Sequence, residues 1–213
     1  MVLTARYHDI GKMALPIREI LQKEVELSEE EREKMEAHTI VGAWILWWFD
    51  RWKTNKDVGG LHEAMVVALL HQSLSKWYPF SINMSKEEFE NKKQKRLKLL
   101  EWFYKESQIK YFEYAIQFLQ NLSYETLQGR WKDYAKQILA IHIADIYDAL
   151  RENRPYRDAM EPEQAVKELK QELEALDESN HPLYELWTQI KPQLTPEFLE
   201  GARKQALQNP LGD

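Results

Sequence analysis

An all-α fold follows from three features of this sequence. Apolar residues recur at spacings of three and four along nearly every long segment, period-two alternation is missing wherever a strand would need it, and two Ser-x-x-Glu signatures stand ahead of amphipathic runs. The first signature, Ser28 to Glu31, predicts a helix running to about Lys53, with Glu29 and Glu30 adding negative charge at its positive end. Its apolar face carries Met35, His38, Val41, Ile45, Phe49 and Trp52. Gly59 and Gly60 mark a break before a predicted helix of roughly 61–73, in which Ala64, Val67, Ala68 and His71 share a face, and Tyr78-Pro79 ends that region. The second signature, Ser85 to Glu88, predicts a long helix through about Tyr104, followed by helices over about 111–122 and 131–151. The turn Asn153-Arg154-Pro155 comes next. Pro162 at a first helical position opens a segment to about Leu176, and Thr195-Pro196-Glu197 opens the last helix by the same logic, leaving Gln208 to Asp213 as a frayed tail.

Composition narrows the class of protein. The chain has 213 residues, 44% hydrophobic and 30% charged, with 7 Gly and 8 Pro, which fits one compact domain with a real core. It has no Cys, so disulfide frameworks, thiolate zinc sites and cysteine nucleophiles are all excluded. A net charge of −6 argues against general nucleic-acid binding, which relies on a surplus of Lys and Arg. The amino-terminal run MVLTARYHDIGK has no apolar signal region, and the longest apolar stretch, Val41 to Phe49, is too short to span a bilayer. The expectation is a soluble, cytoplasmic protein.

Chemistry is concentrated in histidines and carboxylates. Of six His, three lie where a fold could gather them with acids: His8 beside Asp9, His38, and His71, with Asp145 on a later helix. Imidazole and carboxylate together suit Zn, Mn or Fe, and a carboxylate can bridge two ions in phosphate ester cleavage. Taken singly, each His also reads as a core residue satisfied by one hydrogen bond. Lys92, Lys93, Lys95, Arg96 and Lys98 form a basic cluster that reads either as a solvated helix face, balanced by Glu87, Glu88 and Glu90, or as a lid or partner surface for a phosphorylated ligand. Trp44, Trp48 and Trp52 follow an i, i+4, i+8 stripe with Trp47 widening it; core packing, a dimer or partner interface, and a base-stacking platform would all use them.

A resemblance joins these residues. Tyr7-His8-Asp9-Ile10-Gly11-Lys12, then Leu15-Pro16, Ile20-Leu21, Lys23, Leu27, Glu30, Met35, His38, Gly42 and Leu46, resembles the opening signature of the HD-GYP branch of the HD-superfamily phosphohydrolases. The likeness resumes at Ala144-Asp145-Ile146-Tyr147-Asp148-Ala149-Leu150 and at Arg154-Pro155-Tyr156-Arg157. The resemblance implies an HD-like helical bundle over 1–213, with a helical insertion at about 80–130 and a carboxy-terminal helical extension at about 160–208. It implies His8, Asp9, His38, His71 and Asp145 as ligands of two divalent ions, Fe or Mn rather than Zn. Lys12 would contact substrate phosphate and neutralise phosphoryl charge in the transition state. Asp148, Gln72, Arg154 and Arg157 would support those ligands from behind, with Asp148 pairing with Arg154 or Arg157. The implied activity is hydrolysis of a phosphodiester or nucleotide by a metal-bound hydroxide, with a cyclic dinucleotide such as cyclic di-GMP as the family's usual substrate. Three departures stand beside the likeness. No further His precedes His8, Gln72 occupies the second of two consecutive family His positions, and Trp77-Tyr78-Pro79 takes the place of the Gly-Tyr-Pro loop without its glycines. They leave a second expectation, a catalytically reduced HD-like signalling or interaction module.

Overall fold

A computed structural model of the chain describes residues 7–23, 25–54, 63–74, 80–154 and 157–208. These residues are helical throughout, with turns between and no strand among them; a lone bridge pairs the backbones of Arg154 and Arg157. The helices are α1 (Leu15–Leu21), α2 (Glu29–Met35), α3 (Ala37–Thr54), α4 (Glu63–Leu70), α5 (Lys86–Ser107), α6 (Lys110–Asn121), α7 (Tyr124–Arg130), α8 (Ala135–Arg151), α9 (Pro162–Glu172), α10 (Tyr184–Ile190) and α11 (Pro196–Gln208). Short 3₁₀ turns lie at Ile10–Met13, Trp131–Tyr134, Glu174–Asp177 and Lys191–Gln193. No described helix is long and apolar enough to cross a membrane. The chain divides into two compact units, Leu3–Ile138 and Leu139–Asp213, and the division falls inside α8.

Both capping boxes form. The Ser28 and Ser85 hydroxyls accept from the backbone N–H groups of Glu31 and Glu88, whose carboxylates accept in return from the two serine N–H groups. The helix expected from Ser28 to Lys53 is nevertheless two helices, α2 and α3, with the break at Glu36. The Glu36 carboxylate is buried in an ion pair with Arg96 of α5, and Thr39 Oγ1 donates to the Glu36 carbonyl at 3.0 Å. A partner sixty positions away in sequence thus fixes where the chain bends. Pro162 and Pro196 open α9 and α11 as their sequence position predicts. Two short helices carry no strong sequence signal. α7 is capped only by Ser123, and α10 starts at Leu183 with no side-chain cap.

In the first unit, α3 packs against α4, α6 and the 3₁₀ turn Ile10–Met13, and α5 packs along α6. Ile17, Ile40, Val41, Met65, Leu69, Phe89, Leu100, Phe103, Phe112 and Leu119 are buried there. Trp44 stacks on Tyr114 with ring centroids 5.8 Å apart, and Trp47 packs against Phe118 at 6.2 Å, so α6 covers these two tryptophans. The stripe is therefore drawn differently from its sequence reading: Trp47 packs, whereas Trp48 is 51% exposed. The side chain of Trp52 lies outside the described residues, as do Phe49, Gly59, Gly60, His62 and Trp77-Tyr78-Pro79.

The basic cluster of α5 is not a uniform solvated face. Lys93 is 9% exposed and its Nζ donates to the carbonyls of Gln120 and Leu122, at 2.9 and 2.7 Å, satisfying the carboxy-terminal end of α6. Arg96 is equally buried against Glu33 and Glu36, and Lys95 pairs with Glu33. In the second unit, Leu169, Leu173, Leu176, Trp187 and Leu194 form the core, and the Trp187 indole donates to Asp177 at 2.9 Å. Glu200 of α11 accepts from Tyr147 and Arg151 of α8.

The structural role of Lys93 predicts that Lys93→Met lowers stability by about 1–3 kcal/mol, because two buried carbonyls lose their donor. Lys95→Gln, on the exposed side of the same helix, changes stability by about 0.5 kcal/mol or less. Urea titrations of the two variants compare them directly.

Candidate metal centre

The centre begins with two glycines. A Cβ on Gly11 would lie 1.9 Å from the carbonyl oxygen of His38 and 2.7 Å from the nitrogen of Gly42, both backbone atoms that no rotamer change can move aside. Gly42 faces the same contact, its own Cβ position falling 3.2 Å from the Gly11 nitrogen. The 3₁₀ turn therefore lies backbone to backbone on α3, one helical turn beyond His38. Asp9 is the residue immediately ahead of that turn, and its carbonyl accepts from the Lys12 N–H at 2.9 Å.

This contact delivers Asp9 to the two buried imidazoles. Asp9 Oδ1 lies 3.2 Å from His38 Nε2 and 3.4 Å from His71 Nε2. His38 and His71 are both fully buried, with ring centroids 5.5 Å apart. His8 packs edge-on against His71 at 4.8 Å between centroids, and its Nε2 is 3.6 Å from Asp9 Oδ2. One ligand atom from each of His8, Asp9 and His71 lies within 4.8 Å of the others, a grouping that could hold a metal ion. Among the described residues the structure thus brings together four of the sequence-predicted ligands, His8, Asp9, His38 and His71.

Hydrogen-bond bookkeeping sets the electrostatics. His38 Nδ1 is 2.7 Å from the Met35 carbonyl and His71 Nδ1 is 2.8 Å from the Ala68 carbonyl. A carbonyl only accepts, so both Nδ1 atoms carry hydrogen, and in the neutral ring each Nε2 then presents a lone pair. Burial pushes the His38 imidazole down from its ordinary value; Asp9, which would accept a hydrogen bond from the charged ring, offsets only part of that, so the ring is neutral at pH 7. Burial also acts to raise the Asp9 carboxyl, but His38, His71 and the charge of Lys12 outweigh it and hold Asp9 well below the usual carboxylate range. The His38 Nε2 lone pair therefore faces Asp9 Oδ1, with His71 Nε2 3.4 Å from the same oxygen, a grouping in which a cation would relieve the repulsion. The spacing suits one: bonds of about 2.1 Å meeting at about 100° place ligand atoms about 3.2 Å apart. Two imidazoles and a carboxylate form a donor set for Mn, Fe or Zn.

The remaining predicted residues are placed differently. Lys12, which the resemblance implies as a contact to substrate phosphate, forms an ion pair with Asp9 Oδ2. Gln72 is half-buried in the turn after α4. Asp145 is half-buried on α8, in the second unit. Asp148 accepts from Arg203 of α11 at 2.6 Å, a partner the sequence reading did not name beside Arg154 and Arg157. Arg157 instead donates to the Ala149 carbonyl at 2.6 Å, and Arg154 exchanges backbone hydrogen bonds with it, so both hold the turn after α8. Gly11 and Gly42 were part of the quoted signature, yet their close approach is a tertiary fact that no local pattern encodes. A scan against protein-family models, a search of curated proteins and a search of solved structures each found no match.

Two predictions follow from this geometry. Gly11→Ala destabilises the first unit by about 3 kcal/mol, since backbone must separate from backbone, whereas Gly42→Ala costs about 1 kcal/mol or less, helix propensity returning part of the strain; thermal melts of the two variants test the difference. In chelated protein at pH 7, nitrogen-detected NMR finds His38 as a neutral ring protonated on Nδ1, and a proton on Nε2 would contradict the convergence of acceptors.

Proposed function

We propose that this protein is an HD-type metal-dependent phosphohydrolase of the cytoplasm, acting on a phosphodiester or nucleotide. A cyclic dinucleotide is the substrate that the HD-GYP resemblance implies. The observation that carries the reading is the approach of Asp9 Oδ1 to two buried imidazole nitrogens, 3.2 and 3.4 Å away, whose partner nitrogens are spent on backbone carbonyls. A nonspecific core has no use for such a set, because a carboxylate oxygen facing an imidazole lone pair costs free energy that a cation recovers. His8, Asp9, His38 and His71 would hold the ion, of the Fe or Mn class. Asp145 of α8 is proposed as a further ligand on the strength of its motif, Ala144-Asp145-Ile146-Tyr147-Asp148.

When bound, a divalent ion at this set lowers the pKa of water and stabilises negative charge on phosphoryl oxygens. The chain's own residues do the rest. The backbone carbonyls of Met35 and Ala68 fix the ring orientation of His38 and His71, so both Nε2 atoms are aimed before a ligand arrives. Asp9 supplies the negative charge that retains a cation in a buried setting. Lys12, one-third exposed, brings a positive charge to the edge of the site where a phosphate would approach.

A second reading, a catalytically reduced HD-like signalling module, is favoured by one observation: the Lys12 ammonium already neutralises the Asp9 carboxylate without any metal. Protein purified without chelator and then supplied with Mn²⁺ separates the two. The hydrolase reading predicts bound metal, turnover of bis(p-nitrophenyl) phosphate, and loss of both in Asp9→Ala and His38→Ala, on the order of 100-fold or more in activity. Absence of metal from a normally folded protein supports the module, and activity that survives His38→Ala overturns the ligand assignment.

A further inference from the structure

We propose that Lys12 is a built-in second cation: its ammonium stands where the second of two ions would bind Asp9, so the chain holds one divalent ion rather than two. The inference rests on the metal-centre reading above and adds to it the number of ions and the identity of the second positive charge.

The two oxygens of Asp9 keep different company. Oδ1 faces His38 Nε2 and His71 Nε2, the side of the carboxylate read above as the metal site. Oδ2 faces the Lys12 ammonium, in direct ion pair, and beyond it His8 Nε2 at 3.6 Å. A carboxylate that bridges two ions by giving one oxygen to each needs both oxygens, and here one oxygen is already taken by a side chain of the same turn.

Local backbone geometry fixes that pairing. Residues 10–13 form a 3₁₀ turn, with the Lys12 N–H donating to the Asp9 carbonyl at 2.9 Å. Side chains three apart eclipse in 3₁₀ geometry, so the Lys12 stem is carried over Asp9. The Gly11 contact with α3 keeps this turn from rotating away. A second divalent ion at Oδ2 would have to evict the ammonium and then bear its repulsion from the same turn.

His8 Nε2 lies 3.6 Å from Asp9 Oδ2, so a ligand for an ion stands on that side and the ammonium is what occupies the place. An ammonium needs no such ligands. It is a compact point charge with three donors, able to neutralise Oδ2 and still attract a phosphoryl oxygen from solvent, because the Lys12 side chain is 34% exposed. One metal ion and one lysine would then share the work of two ions.

Metal counting and Mn²⁺ electron paramagnetic resonance on the full chain test the proposal without reference to turnover. After chelation and reloading with Mn²⁺, the wild-type chain takes up one ion and gives the hyperfine-split signal of isolated Mn²⁺. Lys12→Arg, which keeps the charge, behaves likewise. Lys12→Gln rises to two ions per chain and gives the broadened signal of a coupled pair; circular dichroism confirms that it is folded. Two ions in the wild-type chain, or one ion in a folded Lys12→Gln variant, would overturn the role given to Lys12. A wild-type chain that binds no Mn²⁺ would instead overturn the metal-centre reading itself, and this inference with it.

Discussion

The candidate centre depends on a backbone contact that admits no side chain. Gly11 meets the carbonyl of His38 at a distance where even a methyl group has no room, and this places the turn carrying Asp9 directly on α3. His38 is on α3 and His71 directly follows α4, which packs on α3. With that arrangement fixed, Asp9 Oδ1 lies between the two imidazoles. Sequence supplies the residues; the glycine contact supplies their convergence, and the convergence is what turns core histidines into a grouping that could hold a cation.

Electrostatics then explains why the arrangement is polarised. Bringing a carboxylate into a buried setting costs several kcal/mol unless opposite charge accompanies it. Lys12 provides part of that charge from the same turn and leaves Oδ1 for the imidazoles, whose tautomers are fixed by Met35 and Ala68. The helices between Pro79 and Asp145 serve this core indirectly. α6 covers Trp44 and Trp47, and Arg96 of α5 anchors the bend at Glu36 just ahead of His38. Residues that read as a basic surface are in large part the fastening of α5 and α6 to the helices of the site.

Local signals were legible and tertiary ones were not. Ser28 and Ser85 announce helix starts through contacts that span three residues, and the prolines at 162 and 196 do so through their own fixed backbone angle. The bend at Glu36 depends on Arg96, the burial of Lys93 depends on carbonyls 27 and 29 positions away, and Trp47 packs on Phe118 because α6 lies on its side. None of these partners is visible in a periodicity. In the site, the spacing of His8, Asp9, His38 and His71 supported a candidate cluster, but spacing alone could not show that Lys12 rests on Asp9 or that Asp148 turns to Arg203. α7 and α10 were missed because seven residues are too few for a helical period to declare itself, and neither start carries a capping box.

The most direct measurement is a crystal of the full chain grown with Mn²⁺ and recorded at a wavelength where manganese scatters anomalously. The account predicts one strong anomalous peak within bonding distance of Asp9 Oδ1, His38 Nε2 and His71 Nε2, about 2.1–2.2 Å from each. No peak there, with the two Nε2 atoms donating hydrogen bonds to Asp9, would contradict it.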